Sequence, residues 1–182
     1  RRAAAEYAET DALKTAQAVA EAHRSTSSSM LQVLKGLSTL AEIPDSKSAG
    51  SCNKMLQNIL RFSPDYANAG VALSNGDVVC SALPLSIPLN VEDRVFFQRT
   101  VETRAFSIGD YQVGRIADKR GIHFGYPLLT ADKQLWGVVF ILLDLSRLNE
   151  RLAETPHLDD GDIVFLLDGN GTILARYPEH EK

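Results

Sequence analysis

The chain has few of the residue types that build metal, redox or membrane-spanning sites. Its two cysteines do not form a Cys-x-x-Cys pair, and its four histidines show no metal-ligand spacing. No stretch of about 18 apolar residues is present, so no segment is predicted to cross a membrane. The net charge of −4 argues against nucleic acid as a partner. From the spacing of the cysteines and histidines we expect no metal and no cofactor. The four histidines are His23, His123, His157 and His180.

Motifs for catalysis are also missing. The sequence has no Gly-x-Ser-x-Gly elbow and no Walker loop, so no catalytic residue is predicted and an enzyme is disfavoured. The 182 residues, 45% of them hydrophobic, suit one full core, or one core with a fragment of another. The chain begins at Arg1 without a signal peptide, so we expect it to be part of a longer protein.

The first 35 residues contain neither glycine nor proline and are rich in Ala, Glu, Lys and Gln. They predict one long helix from about Ala3 to about Leu40, roughly 55 Å in length. A helix of that length exceeds a domain of this size, so its first half is expected to project. We assign residues 1–45 to this helix, which would serve as a coiled-coil partner, a stalk or the continuation of a membrane helix.

The next segment, residues 46–155, has the pattern of an α+β module. An Asn75-Gly76 dipeptide between two apolar runs predicts a hairpin. The predicted elements are a helix from Ser51 to Phe62, hairpin strands at 69–73 and 78–82, a short helix at 92–103, strands at 107–115, 121–129 and 135–143, and a helix at 146–154. This order predicts a five-stranded antiparallel sheet with the long helix packed on it.

The pattern then begins again. Val164 to Ala175 repeats the order of Val71 to Ala82, an apolar strand, an Asn-Gly turn and a second apolar strand. Residues 156–182 are therefore predicted to be the first hairpin of a second, similar module. Such a hairpin is marginal alone, so it must pack on other parts of the protein.

The stretch from Asp93 to Asp144 differs most from the rest in charge and aromatic content. Residues 93–129 hold six Arg or Lys and four Asp or Glu, a local balance of +2 in an acidic chain. Phenylalanines and tyrosines lie among these charges. An aromatic pocket with local positive charge is predicted, and it favours a small anionic or polar ligand.

These segments together resemble a known family. The residues that carry the resemblance are Asp93-Arg94-Val95-Phe96-Phe97, Ile108-Gly109, Gly114-Arg115, Phe124-Gly125-Tyr126-Pro127, Gly137-Val138-Val139, Leu143-Asp144-Leu145 and the two Asn-Gly hairpins. Over roughly residues 30–180 the chain resembles the PAS-like Cache (PDC-type) sensor domains. It looks most like the double-Cache input regions of bacterial diguanylate cyclases and histidine kinases. The resemblance implies a periplasmic ectodomain between two transmembrane helices of an inner-membrane protein.

From the residues alone, Cys52 and Cys80 are either disulfide-bonded or two buried thiols. The compartment that the resemblance implies is oxidising and favours the disulfide. The resemblance also implies that Arg94 meets a ligand carboxylate, for which a guanidinium fork is suited. The alternative is that Arg94 pairs with Asp93 or closes its own loop.

Five further residues are candidates for ligand binding. Phe97 is preferred to Phe96, because neighbours on a helix cannot share one face. Tyr111 and Arg115 would share a strand face, with an exposed edge as the alternative. Tyr126 would join them from the next strand. His123 is also a candidate, although a lone histidine on a strand is more often a surface or hydrogen-bonded residue.

The ligand expected is a carboxylate or a similar small anion. Amino-acid-binding relatives carry an acid on the last strand and Trp-Tyr where this chain has Phe96-Phe97. The predicted last strand, residues 135–143, has no acid, and Asp144 stands at its end. Asp110 remains available, but the pairing of a ligand ammonium is incomplete, so an α-amino acid is disfavoured. The predicted function is extracytoplasmic small-molecule sensing, relayed through the long helix. The rival interpretation is a module for dimerisation, or for binding a protein partner, without a ligand.

Overall fold

A computed structural model describes residues 2–40, 49–154, 163–168 and 170–178. The chain forms two compact units. We call Met30–Asp144 the five-stranded unit, and Arg1–Ser29 with Leu145–Lys182 the hairpin unit. The predicted module boundaries near residues 45 and 155 lie outside the described residues, as do His157 and His180. The assignment of residues 156–182 to a second Cache-like module stays a prediction.

Helix α1 runs from Arg2 to Leu40 without interruption, close to the predicted bounds. Its residues up to Ser29 belong to the hairpin unit, and its remaining residues belong to the five-stranded unit. In the five-stranded unit Met30, Leu34 and Leu37 are buried. These side chains recur at helical spacing, so one face of the helix is in the core.

The predicted α+β fold with a five-stranded antiparallel sheet is confirmed. The order across the sheet is β2-β1-β5-β4-β3. The central strand, β5, has no charged residue before Asp144 at its end, as expected for a strand that is covered on both faces. The strands are β1 (Tyr66–Leu73), β2 (Val78–Ser81), β3 (Ser107–Val113), β4 (Arg120–Leu129) and β5 (Leu135–Asp144), and the helices of this unit after α1 are α2 (Ala49–Phe62) and α3 (Val95–Thr103).

The pairing of the strands divides the sheet into two faces, because paired residues point to the same side. One face, which we call the pocket face, carries Asn68, Gln112, His123, Phe140 and Leu142. This assignment follows from four pairs of residues: Asn68 with Leu142, His123 with Leu142, Gly125 with Phe140, and Gln112 with Gly121. The opposite face carries Val71, Ile122, Phe124, Val139 and Ile141. A β-bulge between Ile108 and Tyr111 shifts the alternation along β3.

Helix α3 packs against β3, β4 and β5 on the pocket face. It begins at Val95, three residues later than the predicted start, so Asp93 and Arg94 precede it. Its close approach depends on Gly125, since a Cβ there would lie 2.4 Å from Thr100 Oγ1. The helix contributes Phe96, Phe97 and Thr100 to the core.

Helix α2 contacts β1 and β2. A disulfide joins Cys52 of α2 to Cys80 of β2, with an S–S distance of 2.14 Å and a Cα–Cα distance of 6.0 Å. Cys80 pairs with Val71 and therefore lies on the opposite face. This covalent link fixes α2 to the edge of the sheet away from α3.

The hairpin unit contains helix α4 (Leu145–Ala153) and strands β6 (Val164–Leu167) and β7 (Ile173–Tyr177). The strands form the predicted antiparallel hairpin, and α4 contacts β7. Ala175 and Val19 of α1 form a small buried cluster with Val164 and Leu166. Among the described residues, no helix is long and apolar enough to cross a membrane.

Candidate functional site

A cavity lies between the start of α3 and the pocket face of the sheet. Its lining includes Asn68, Arg94, Phe96, Arg115, His123 and Phe140. The cavity is small, with a volume of about 20 Å³, and it is partly open to solvent.

Arg94 is half-buried at the boundary of α3, where it is the N-cap residue. Its Nη1 donates a hydrogen bond to Oε1 of Gln112. Within the described part of the chain, Gln112 is the one hydrogen-bond partner of this guanidinium. Desolvation lowers the pKa of Arg94, and the nearby charge of Arg115 lowers it further. Arg94 is thus a cation held by a neutral amide.

His123 is buried on the pocket face and stacks on Phe96, with ring centroids 4.7 Å apart and an interplanar angle of 8°. Its Nδ1 lies 2.7 Å from Nε2 of Gln112. Burial lowers the pKa of His123 to about 3, with the charge of Arg94 as a second cause. His123 is therefore a neutral hydrogen-bonding group at physiological pH.

Arg115 is the second cation at the cavity, and its charge is compensated. Its Nη1 and Nη2 donate to the two carboxylate oxygens of Asp93 at 2.8 and 2.6 Å. Nη1 also donates to the carbonyl oxygen of Asn90 at 2.8 Å. The hydrogen bond from Arg115 lowers the pKa of Asp93. The partner of Asp93 is therefore Arg115, not Arg94.

Three of the predicted ligand-binding residues, Arg94, Arg115 and His123, line this cavity, and three do not. Phe97 is in the apolar core, and the preference for it over Phe96 is wrong, because Phe96 is the ring that lines the cavity. Tyr111 pairs with Ile122 and Tyr126 pairs with Val139, so both tyrosines belong to the opposite face.

Arg115 reaches the cavity by a route that the sequence did not predict. Strand β3 ends at Val113, and a turn follows in which Gly114 N donates to the carbonyl oxygen of Lys119 at 2.9 Å. Arg115 is therefore outside the strand and does not share a strand face with Tyr111. The turn brings its guanidinium to Asp93 instead.

The last strand of the sheet is one residue longer than predicted. Strand β5 extends to Asp144, which pairs with Gly121 and so lies on the pocket face. Asp144 is only 8% exposed, and its Oδ2 is 3.7 Å from Nζ of Lys119. An acidic side chain is therefore present at the end of this strand, two residues beyond the cavity-lining Leu142.

Two polar residues near the cavity were missed from the sequence. Asn68 is buried and lines the cavity, and its Oδ1 accepts from the backbone N of Leu83 at 3.2 Å. Gln112 connects Arg94 to His123. Asn68 could have been found as a polar amide beside an apolar run, because a buried amide needs a hydrogen-bond partner.

The described residues contain no group of three or more His, Cys, Asp or Glu that could hold a metal ion. The site instead combines one amide-bound cation, one ion pair, a neutral imidazole and aromatic walls. An α+β domain with such a site between a short helix and an antiparallel sheet is typical of ligand-sensing domains.

Comparisons with known proteins agree with this class. The dCache_1 family model, described as Cache domain, matches residues 1–182. The chain therefore belongs to the Cache domain family, whose members are sensor domains without a catalytic role. No curated protein matches the chain.

Solved structures with the same fold are sensor domains of receptors. The extracellular domain of a protein assigned as the histidine kinase rpHK1S-Z16 is 16% identical, with a TM-score of 0.78 over 98% of this chain and 73% of that one. The ligand-binding domain of the Campylobacter jejuni chemoreceptor Tlp3 with L-valine is 21% identical, with a TM-score of 0.70 over 94% and 73%. That of the Pseudomonas aeruginosa PAO1 chemoreceptor PctC with GABA is 17% identical, with a TM-score of 0.67 over 95% and 76%.

Proposed function

We propose that the five-stranded unit binds a small carboxylate at Arg94 as the sensing module of an extracytoplasmic receptor. The observation that carries this proposal is the unequal state of the two arginines at the cavity. Arg115 is neutralised by the Asp93 carboxylate, whereas Arg94 is held by the neutral amide of Gln112. The cavity therefore keeps a net positive charge that an anionic ligand would compensate.

A carboxylate fits this cation better than a generic anion does. A guanidinium presents parallel N–H donors that pair with both oxygens of a carboxylate, and such bonds are roughly twice as strong as neutral ones. Phe96, Phe140 and Leu142 supply apolar walls for the rest of a small ligand. Two neighbours of the same fold, Tlp3 with L-valine and PctC with GABA, hold ligands that carry a carboxylate. At their low identity these neighbours support the proposal without deciding the ligand.

Asp144 is a candidate partner for an ammonium group, if the ligand carries one. Its carboxylate is on the pocket face, at the end of β5, beside Lys119. A ligand that carries both groups would need a partner for its ammonium, and Asp144 is the acid in β5 that faces the right side. Our proposal commits to the carboxylate and leaves the amine to experiment.

Two pairs of probes separate these possibilities. GABA and butyrate, and L-valine and isovalerate, share a carbon skeleton and a carboxylate but differ in the amine. Binding of both members of a pair, measured by calorimetry on the purified 182-residue chain, supports recognition of the carboxylate. Binding of the amine-bearing member alone assigns an ammonium subsite in addition. Butylamine, which lacks a carboxylate, is expected not to bind.

The decisive variant is Arg94→Ala. We expect a carboxylate probe that binds the wild type to lose about 10- to 100-fold in affinity, since a charge-assisted hydrogen bond is removed. Arg61→Ala removes the same charge from an exposed position in α2, outside the cavity lining, and is the matched control. Equal affinities in all three proteins would overturn the assignment of Arg94.

We further propose that α1 relays the ligand signal and that the chain is the periplasmic part of a membrane receptor. The support is that one continuous helix contributes residues to both units. Hydrogen exchange of residues 30–40 is expected to change when a carboxylate probe binds. In the full receptor, a cross-link between the long helices of two copies should fix the output, and an output that still responds would contradict the relay.

The rival function is a dimerisation module without a ligand. It is favoured by the length of α1, a continuous helix of 39 residues, since such a helix suits a coiled-coil partner. A flat screen of organic acids, amino acids and amines, together with dimerisation that depends on protein concentration, would favour this function over sensing.

A further inference from the structure

The amide of Gln112 occupies a position on Arg94 that a ligand carboxylate oxygen would use. Gln112 is half-buried on β3 and faces the cavity side, because it pairs with Gly121 on the pocket face. Arginine has donors only, so the amide oxygen of Gln112 must be the atom that accepts from Nη1 of Arg94. A neutral oxygen thus holds the cation.

The other end of the same amide is also engaged. With the oxygen fixed towards Arg94, the Nε2 group of Gln112 donates to Nδ1 of His123. Nδ1 therefore carries no proton, and the neutral imidazole has its proton on Nε2. The stacking of His123 on Phe96, and its contact with Phe140 at a centroid distance of 5.9 Å, hold the ring in this orientation. Gln112 is anchored between a cation and a rigid acceptor.

The hydrogen bond from Arg94 Nη1 to Gln112 engages one of the donors that a ligand carboxylate in the cavity would use. A ligand that pairs with this side of the guanidinium must therefore compete with Gln112. Gln112 is suited to move because it is only half-buried and its bond to Arg94 joins a cation to a neutral oxygen. A carboxylate would form a stronger bond with the same guanidinium.

We propose that Gln112 is an internal surrogate for the ligand carboxylate and sets the affinity and selectivity of the site. Its amide oxygen accepts the hydrogen bond from Nη1 of Arg94. A ligand carboxylate replaces that oxygen, and the displaced amide releases His123. The inference rests on the proposed function, because it assumes that Arg94 is the anchor of the ligand. Ligands that bond Arg94 no better than an amide does, such as alcohols and primary amides, would be excluded by this competition.

Two substitutions at this position have opposite expected effects. Gln112→Ala removes the competing oxygen, so the affinity for acetate and butyrate is expected to rise about 2- to 10-fold. Gln112→Glu places a permanent carboxylate beside Arg94, so the affinity for the same probes is expected to fall at least about 10-fold. Gln98→Ala, on an exposed position of α3 outside the cavity lining, is the matched control and should change neither affinity.

A second measurement follows the release of His123. The ¹⁵N chemical shift of His123 Nδ1 is expected to change when butyrate is added to the wild type. In Gln112→Ala it should already have changed without butyrate, and further addition should move it little. This readout reports the hydrogen bond itself, so it would not respond to a residue that only supports the fold.

The outcomes separate this inference from the function beneath it. If butyrate binding depends on Arg94 but Gln112→Ala leaves the affinity unchanged or lowers it, the surrogate role is wrong and carboxylate sensing stands. If neither the wild type nor Gln112→Ala binds any carboxylate probe through Arg94, both proposals fail. A wild type without measurable binding and a Gln112→Ala variant that binds through Arg94 would support the surrogate most strongly. Circular dichroism of each variant establishes that it is folded.

Discussion

The two faces of the five-stranded sheet differ in the kind of side chain that they bury. The opposite face is built from aliphatic and aromatic residues such as Val71, Phe124 and Ile141, and the disulfide of Cys80 lies on the same side. The pocket face buries Asn68 and His123 among phenylalanines and meets the guanidinium of Arg94. Buried apolar area stabilises a fold without specifying a ligand, whereas buried polar groups cost stability unless they are paired. We infer that the opposite face chiefly stabilises the unit, whereas the pocket face combines an apolar cluster around Phe96 and Phe140 with the polar groups that recognise the ligand.

Phe124→Ala should have the largest effect on stability. The ring is almost fully buried on the opposite face, with the ring of Phe106 at a centroid distance of 6.0 Å. Its truncation is expected to lower the free energy of unfolding by about 3–5 kcal/mol, measured by urea denaturation. Phe62→Ala, where the side chain is 88% exposed, is the control and should change it by less than about 0.5 kcal/mol. A loss below about 1 kcal/mol for Phe124→Ala would contradict the proposed division between the faces.

The disulfide gives the second-largest expected effect. It closes a sequence separation of 28 residues, and the loop-entropy model assigns such a cross-link roughly 3 kcal/mol. The double substitution of Cys52 and Cys80 by serine should lower the free energy of unfolding by about this amount. Reduction of the wild type with dithiothreitol should give the same loss and have no effect on the double variant. If reduction leaves the denaturation midpoint of the wild type unchanged, the disulfide does not stabilise this face.

The opposite face was the more predictable one because it depends on repeating patterns. Apolar runs, the Asn75-Gly76 turn and helical spacing gave the five strands and the helices to within a few residues. Such elements follow from local periodicity, which every sequence displays directly. The last strand was predicted to end at Leu143, one residue before the end of β5 at Asp144.

The pocket face was predicted less well because its geometry depends on long-range pairing. Period-two alternation placed Tyr111 and Arg115 together, but β3 ends at Val113, so Arg115 lies in the turn that follows the strand. The choice between Phe96 and Phe97 required the angle at which α3 meets the sheet, which no local pattern contains. Gln112 was missed for the same reason, since its two partners are distant in sequence.

His123 offers a pH-dependent test of the pocket face. Its pKa is about 3 in the fold and near 6.5 when unfolded, so only the unfolded chain takes up the proton between these values. Stability is therefore full above pH 6.5 and falls as the pH drops towards 3. The expected loss between pH 7.5 and pH 5.0 is about 2 kcal/mol, measured by urea denaturation at each pH.

His123→Asn supplies the comparison for this effect. Asparagine does not titrate, so the loss assigned to His123 should be absent from the variant, whatever its absolute stability. The charged groups nearest the ring are Arg94 and, through the cavity, the Arg115–Asp93 pair. None of these changes protonation between pH 5.0 and pH 7.5, because the pKa of Asp93 is lowered and arginines stay charged. An equal pH dependence in the variant would show that another group is responsible.

Asp93→Asn should change stability least but is a sensitive test of recognition at the cavity. The carboxylate is largely exposed, and exposed ion pairs contribute about 0–1 kcal/mol, so the free energy of unfolding should fall by less than about 1 kcal/mol. The substitution leaves Arg115 without its compensating charge, and the affinity for butyrate is expected to rise about 2- to 5-fold at low salt. Asp110→Asn makes the same charge change in the Arg99 pair, outside the cavity lining, and should leave the affinity unaltered. An equal rise in both variants would mean that net charge, and not the arginines at this cavity, attracts the anion.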